Sequence, residues 1–285
     1  MIIWLASYPK SGNTLVRSML SAYFFSKDGT YNFDIINNIK QFPSLKLFEK
    51  FNINPNDNDE IIKNYINIQT IINDNNSIQY LKTHSYLFNF YNKYPFTNLN
   101  ISLGAIYIVR DPRNVVSSLA NFESKTIEET ANILTRDFNL GGNLKSNNDI
   151  ERTTTYVGSW GSHYKSWKSF KTVNKYLLIK YEDLISNKEK NFLKILKFIY
   201  QLNGSKFSIN ENKFKNTIKT TEFEHLQKLE REQGFIESRM HKITKKKIPF
   251  FNQGQKRDWQ KILDKQIKDK IEKAFPNEMK ELGYL

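Results

Sequence analysis

Ile2-Ile3-Trp4-Leu5-Ala6 is an apolar run that breaks at Ser7-Tyr8-Pro9-Lys10-Ser11-Gly12-Asn13-Thr14, and a helical pattern, Leu15-Val16-Arg17-Ser18-Met19-Leu20, follows at once. A buried strand that stops at a Pro/Gly turn and re-enters as a helix aims backbone N–H groups at one spot. The helix dipole and a lysine add positive charge there. The chain therefore opens on a site for a phosphate-like anion. Residue order separates this turn from a Walker A loop, in which Lys follows the last Gly and a hydroxyl for magnesium stands beside it. Here Lys10 precedes Gly12, the only glycine of the turn. Taken alone, the segment also fits a tight turn with a solvated lysine.

Apolar runs and helical spacing predict strands at 2–7, 77–82, 105–109 and 176–180. Helices are expected over 14–25, 59–72, 114–121, 126–138, 156–170, 188–202 and 259–275, with a helical pair over 211–230. Residues 31–56 read as an irregular excursion and 231–247 as a mixed-charge segment. Strands alternating with helices predict an α/β fold: a parallel β-sheet flanked by helices on both faces. Ligands in such sheets bind beyond the carboxyl ends of the strands.

No Ser/Gly-rich linker or composition break divides the 285 residues, so one domain is expected over 1–285. Hydrophobic content of 39% with 14% aromatics suffices for a core. The absence of cysteine excludes disulfides and thiolate metal sites and fits a reducing cytosol. The apolar opening lacks a basic leader, and no run reaches the ~18 residues of a membrane span. The expectation is a soluble, cytoplasmic protein. A formal charge of +14 asks for an anionic partner. The basic residues are dispersed apart from Lys245-Lys246-Lys247, and no RNP, zinc-finger or helix-turn-helix pattern converts charge into base readout. No specific nucleic-acid partner is expected. A non-enzymatic polyanion binder would use the same charge, with strongly salt-dependent association.

Two more strand ends carry chemistry. His84 follows the strand that ends at Lys82-Thr83, where an imidazole is able to take a proton from an attacking hydroxyl. Lys82, two residues earlier, projects to the same side and can neutralise a transferring group. Alone, His84 also fits a core histidine satisfied by backbone groups. The third cluster is Val109-Arg110-Asp111-Pro112-Arg113, with Ser118 two turns into the next helix. Arginine there suits bidentate phosphate binding. An Arg capping the sheet and a Ser on the helix surface is the alternative.

With these residues in view, the chain resembles the sulfotransferases that use 3′-phosphoadenosine 5′-phosphosulfate (PAPS). Tyr8–Thr14 resembles their 5′-phosphosulfate loop, Lys82-Thr83-His84 their catalytic Lys-x-His, and Arg110 with Ser118 their 3′-phosphate motif at the same spacing. Tyr181-Glu182-Asp183 looks like the Tyr-Glu-Asp after the next strand. Thr221 and Phe223 fall where family members contact adenine, and Phe250 through Trp259 resembles the C-terminal Gly-x-x-Gly-x-Trp segment. The resemblance implies the P-loop-NTPase-like sulfotransferase fold, with 231–247 as a lid. It implies PAPS as co-substrate, PAP as product, and no metal. His84 becomes the base, with Lys10, Lys82 and Ser118 as further catalytic residues. Lys10, Ser11, Gly12, Asn13, Thr14, Arg110, Ser118, Tyr181, Thr221, Phe223 and Gly254 hold the nucleotide.

Departures are visible. Leu15 stands where the family usually has Trp, Asn252-Gln253 replaces an Arg-Lys pair, and Arg257 stands at the second Gly. Lys256 and Arg257 are candidates to restore that charge. The acceptor is a hydroxyl or amine of a small molecule or glycan. The aromatic block Tyr86, Phe88, Phe90, Tyr91, Tyr94 and Phe96 either walls an acceptor pocket or buries against the sheet. In the lid, Phe235 or His241 would touch the acceptor, and the basic stretch favours an acidic glycan; a solvated loop is the alternative. A nucleotide kinase is the remaining rival. Against it stand the loop order and the poor match of Asp111 to a Walker-B aspartate.

Overall fold

The computed structural model describes residues 1–54, 57–74, 77–140, 154–241, 244–252, 254 and 258–285. Its centre is a five-stranded sheet of β1 (Ile2–Ser7), β2 (Lys40–Gln41), β3 (Gln79–Thr83), β4 (Ser102–Val109) and β5 (Tyr176–Lys180). The strand order is β2-β3-β1-β4-β5, and all neighbours run parallel. β1 is central and wholly buried, so both of its faces need apolar side chains and the strand reads as an unbroken apolar run.

Alternation along the strands feeds two cores. Trp4, Ala6, Ala105 and Tyr107 face one side, under the helices Pro112–Glu123, Trp160–Lys168 and Lys265–Ala274. Ile3, Leu5, Ile106 and Ile108 face the other, under Asn13–Phe25, Lys188–Leu202 and Glu211–Thr220. A smaller cluster of Tyr31, Leu226, Phe235 and Phe251, with Phe33, Phe223 and Phe250 packed on it, mounts the chain after the helix Phe223–Gln233.

The register decides the site. Leu5 lies between Lys82 and Ile106, Ala6 between Thr83 and Tyr107, and Ser7 beside Ile108. Val109 is paired with Lys180. The carboxyl ends of β1, β3, β4 and β5 therefore finish side by side, and the residues just beyond them meet at one edge.

The structure departs from the sequence expectation where short polar signals mattered. The excursion 31–56 contains β2, a two-residue strand too short and exposed to show a period, and the helix Leu45–Lys50. Residues 59–72 divide into Asn58–Lys63 and Tyr65–Asn73, because the Asn64 amide donates back to the Glu60 carbonyl at 2.9 Å and competes with the helix ladder. The last helix divides at Asp264, which caps Lys265–Ala274 by accepting from the Ile267 N–H. Capping boxes at Thr126 and Ser159 start the helices Ile127–Leu134 and Trp160–Lys168, later or shorter than the apolar spacing indicated.

Candidate active site

Lys10 and Gly12 adopt left-handed backbone angles, φ 65° and 101°, in the turn between β1 and the first helix. For a lysine this costs about 1 kcal/mol. Two left-handed residues on either side of Ser11 bend the chain tightly, the kind of backbone from which anion nests are built. Asn13 fixes the turn from below: its amide donates to the Leu5 carbonyl at 2.8 Å and to Ser7 Oγ at 3.2 Å. Gly12 is required twice over, because a Cβ there would lie 2.4 Å from the Tyr181 ring. That ring in turn lies 4.4 Å from the Arg110 guanidinium, so loop glycine, tyrosine and arginine form one stack.

A cavity of about 800 Å³ opens above these strand ends. Lys10, Gly12, Asn13, Thr14, Lys82, His84, Arg110, Ser118, Tyr181, Thr221, Phe223 and Gly254 all line it. Ser11 is fully buried and is not part of the lining. Lys256 and Arg257, and Gln253 beside them, lie outside the described residues. Asn252 and Leu15 reach the cavity wall. Gly254 packs on Phe223: a Cβ there would lie 2.6 Å from the ring.

His84 presents one ring nitrogen with a free lone pair. Its Nδ1 lies 2.8 Å from the Ser7 carbonyl, which only accepts, so Nδ1 carries the proton and Nε2 keeps a lone pair. Burial, aided by Lys82, lowers its pKa to about 3, leaving the ring neutral at physiological pH. A second buried histidine holds the strand end in place. His163 donates from Nε2 to the His84 carbonyl at 3.1 Å and pairs through Nδ1 with the Tyr107 hydroxyl at 2.9 Å. Trp167 donates to the Ser85 carbonyl at 2.8 Å.

Lys10, Lys82 and Arg110 line the same cavity as His84. The Arg110 side chain is almost fully buried; its Nη1 donates to the Lys10 carbonyl at 3.3 Å and its Nε has no partner among the described residues. A buried guanidinium N–H without an acceptor marks a place where an anion belongs. Arg113, by contrast, is structural. It pairs with Asp111 and Glu272, donates to the Tyr284 carbonyl, and lies over Trp259.

The Lys10 ammonium lies 4.0 Å from the ring centroid of Phe122 and 4.2 Å from that of Phe250. Phe122 follows Ser118 by one helical turn on the same helix, so both reach the same wall. Burial is the main cause that lowers the Lys10 pKa to about 7, with Lys82, Arg239 and Arg110 adding repulsion and Glu237 opposing them. Lys82 and Arg17 both bind Glu237, at 3.1 and 2.7 Å. These two cations hold its carboxyl near a pKa of about 2 despite burial, which on its own would raise it.

Sequence reasoning missed Arg17, Phe122, His163 and Glu237. Each acts through a partner about 55 to more than 200 residues away, and no short motif carries such a signal. For the aromatic block after His84 the structure takes the second of the two readings, burial against the sheet. Phe88 and Phe96 join the core around Trp4, Tyr65 and Trp167, Tyr86, Phe90 and Tyr94 pack onto it, Tyr91 is exposed, and none of the six lines the cavity. Pro43, Leu45, Leu140, Ile236 and Ile248 supply the apolar lining instead. Phe235 is buried in the third cluster and His241 also lies off the cavity; between residues 231 and 247 the cavity is reached by Ile236, Glu237 and Arg239.

Among the described residues no helix is long and apolar enough to cross a membrane. No curated protein matches the sequence. Among solved structures, the fold is similar to mouse sulfotransferase SULT7A1 complexed with PAP, at TM-score 0.57 and 18% identity over 98% of this chain and 84% of that one. It is also similar to retinol dehydratase in a complex with retinol and PAP, at TM-score 0.58 and 16% identity over 98% and 81%. The family model for the sulfotransferase domain matches residues 2–283, and with a parallel sheet whose strand ends converge on a cationic cavity, this chain belongs to the sulfotransferase domain family.

Proposed function

We propose that this protein, as one domain over 1–285, transfers a sulfuryl group from PAPS to a hydroxyl or amine of an acceptor. The observation that carries the reading is the convergence, in one cavity, of an unprotonated His84 Nε2 with Lys10, Lys82 and the orphaned Nε of Arg110. The relatives crystallised with PAP support the choice of nucleotide.

The residues fit a doubly phosphorylated adenosine. Arg110, with Ser118, answers the 3′-phosphate; the turn from Lys10 to Thr14 answers the 5′-phosphate; Thr221, Phe223 and Gly254 offer a flat wall to the base. Leu15 and Asn252 leave that wall and the phosphate clamp weaker than the family pattern, so the binding load falls on Arg110 and the turn.

When bound, PAPS supplies a sulfuryl group on a phosphate that leaves as an anion. His84 Nε2 accepts the acceptor proton, and the Ser7 carbonyl stabilises the resulting imidazolium through Nδ1–H. Lys82 offsets negative charge on the transferring oxygens, and Lys10 meets the charge that grows on the leaving phosphate. Phe122 and Phe250 hold the Lys10 ammonium until that charge appears, with Ser118 one turn away as a hydroxyl partner. A sulfuryl group carries less charge than a phosphoryl group, so protein cations suffice on electrostatic grounds. The apolar wall of Pro43, Leu45, Leu140 and Ile236 supports a small-molecule acceptor with an apolar body over an anionic glycan.

Calorimetry with PAP in magnesium-free buffer tests the nucleotide, and a labelled-donor screen of alcohols, phenols and amines tests transfer. Absence of PAP binding, or near-wild-type transfer by His84→Ala, overturns the reading.

A further inference from the structure

Glu237 stands where an acidic residue is least expected. Its Oε1 accepts from Arg17 Nη1 at 2.7 Å and Lys82 Nζ at 3.1 Å, and its Oε2 accepts from Thr14 Oγ1 at 3.1 Å. Thr14 and Lys82 belong to the surface that the proposed function assigns to the donor oxyanion. Arg17 is new to that surface. Its Nε is anchored to the Ile39 carbonyl at 2.8 Å, so the guanidinium is aimed before any ligand arrives. Arg17 and Lys82 side chains are 8% and 6% exposed, while Glu237 is 21% exposed and lines the cavity.

From this geometry we infer that Thr14, Arg17 and Lys82 form an oxyanion subsite, and that the Glu237 carboxylate is its resident ligand until a sulfuryl or comparable tetrahedral oxyanion displaces it. The inference rests on the proposed function for the identity of the incoming anion, but not for the subsite itself. A carboxylate and a sulfuryl group present similar oxygens to the same donors. Two buried cations against one carboxylate leave a net positive charge, and Lys10, Arg110 and Arg239 stand close enough to bear on the same region. A donor phosphosulfate, which brings the charge of its phosphate as well as that of the sulfuryl group, or a sulfate dianion, is therefore favoured over the single charge of Glu237.

Displacement needs no opening of the whole segment. Phe235 is buried in its cluster and Ser238 Oγ donates to Glu230 at 2.5 Å, so the backbone is pinned on both sides of Glu237. Rotation about its side-chain bonds moves the carboxylate toward the cavity mouth, where its neighbour Ile236 is already 75% exposed.

The test compares wild type, Glu237→Gln and Arg17→Met, each first checked for a cooperative melt, using PAPS and inorganic sulfate as separate probes in calorimetry. Removing the resident carboxylate is expected to tighten PAPS about tenfold and sulfate by a similar factor, and Arg17→Met to weaken both. Glu237→Ala serves as the second variant if the glutamine form does not fold. Sulfate tightening in Glu237→Gln without PAPS binding by any form keeps the subsite and overturns the proposed function. Equal PAPS and sulfate affinity in wild type and Glu237→Gln, or weaker binding in the variant, overturns the subsite while leaving the proposed function standing.

Discussion

Binding of PAP should draw a proton onto Lys10. In the ligand-free protein the Lys10 pKa is lowered to about 7 by burial between two phenyl rings and by repulsion from Lys82, Arg239 and Arg110. A phosphate beside the ammonium reverses that repulsion and returns the group toward its usual value. The sign follows directly: the bound state holds more protons than the free state, so binding takes up protons and weakens as pH rises. With a free pKa of about 7, the uptake is about 0.1 proton at pH 6, about 0.5 at pH 7 and about 0.9 at pH 8, and affinity falls about tenfold from pH 6 to pH 8.

Calorimetry in buffers of different ionisation enthalpy reads the uptake from the slope of observed against buffer enthalpy. The Lys10→Met protein serves as the reference, because the nucleotide's own phosphates titrate near pH 6 and cancel in the difference. His84 and Glu237, with pKa values of about 3 and about 2, stay silent above pH 7 unless binding raises them by several units. An uptake at pH 8 that is zero, or equal in Lys10→Met, would show that Lys10 is fully charged before binding and would refute the argument.

His84→Ala should lower turnover by about 10²–10⁴ with PAP affinity within a few-fold, measured by single-turnover transfer and calorimetry. The His84 ring, by nuclear magnetic resonance, should show no titration between pH 5 and pH 8 in the free protein; a midpoint near 6.5 would contradict its burial. Gly254→Ala forces the Phe223 ring from a position 2.6 Å from the new methyl, so the donor KM should rise several-fold with kcat nearly unchanged. Gly12→Ala combines a φ of 101° with a Tyr181 clash, and it should cost about 1–3 kcal/mol of stability and lose PAP binding, read by thermal melts with and without ligand.

The strand–turn–helix at the amino terminus was legible because every part of it is local. β1 ends where Pro9 follows it, Gly12 supplies the left-handed turn, and the helix period begins immediately. Lys82, His84 and Arg110 were legible for a related reason: in a parallel sheet the polar residue after each apolar run must emerge at the same edge. The aromatic block after His84 was not decidable, since an aromatic residue serves a core and a pocket equally well. Its place was settled by Trp4, Tyr65 and Trp167, which meet Phe88 and Phe96 from distant parts of the chain.

The amino-acid sequence by itself determined which candidate groups stand at the strand ends: a lysine in a tight left-handed turn, an imidazole and a lysine at one strand end, an arginine at another. Local propensity and side-chain pKa fix such identities without reference to neighbours. Tertiary structure alone decided their state. Burial between Phe122 and Phe250 brings the Lys10 pKa close to neutrality, and the Ser7 carbonyl selects the tautomer of His84. Glu237, carried in from the far side of the chain, places a carboxylate among the cations. Desolvation and charge–charge coupling depend on distances through space, and spacing along the chain does not encode them.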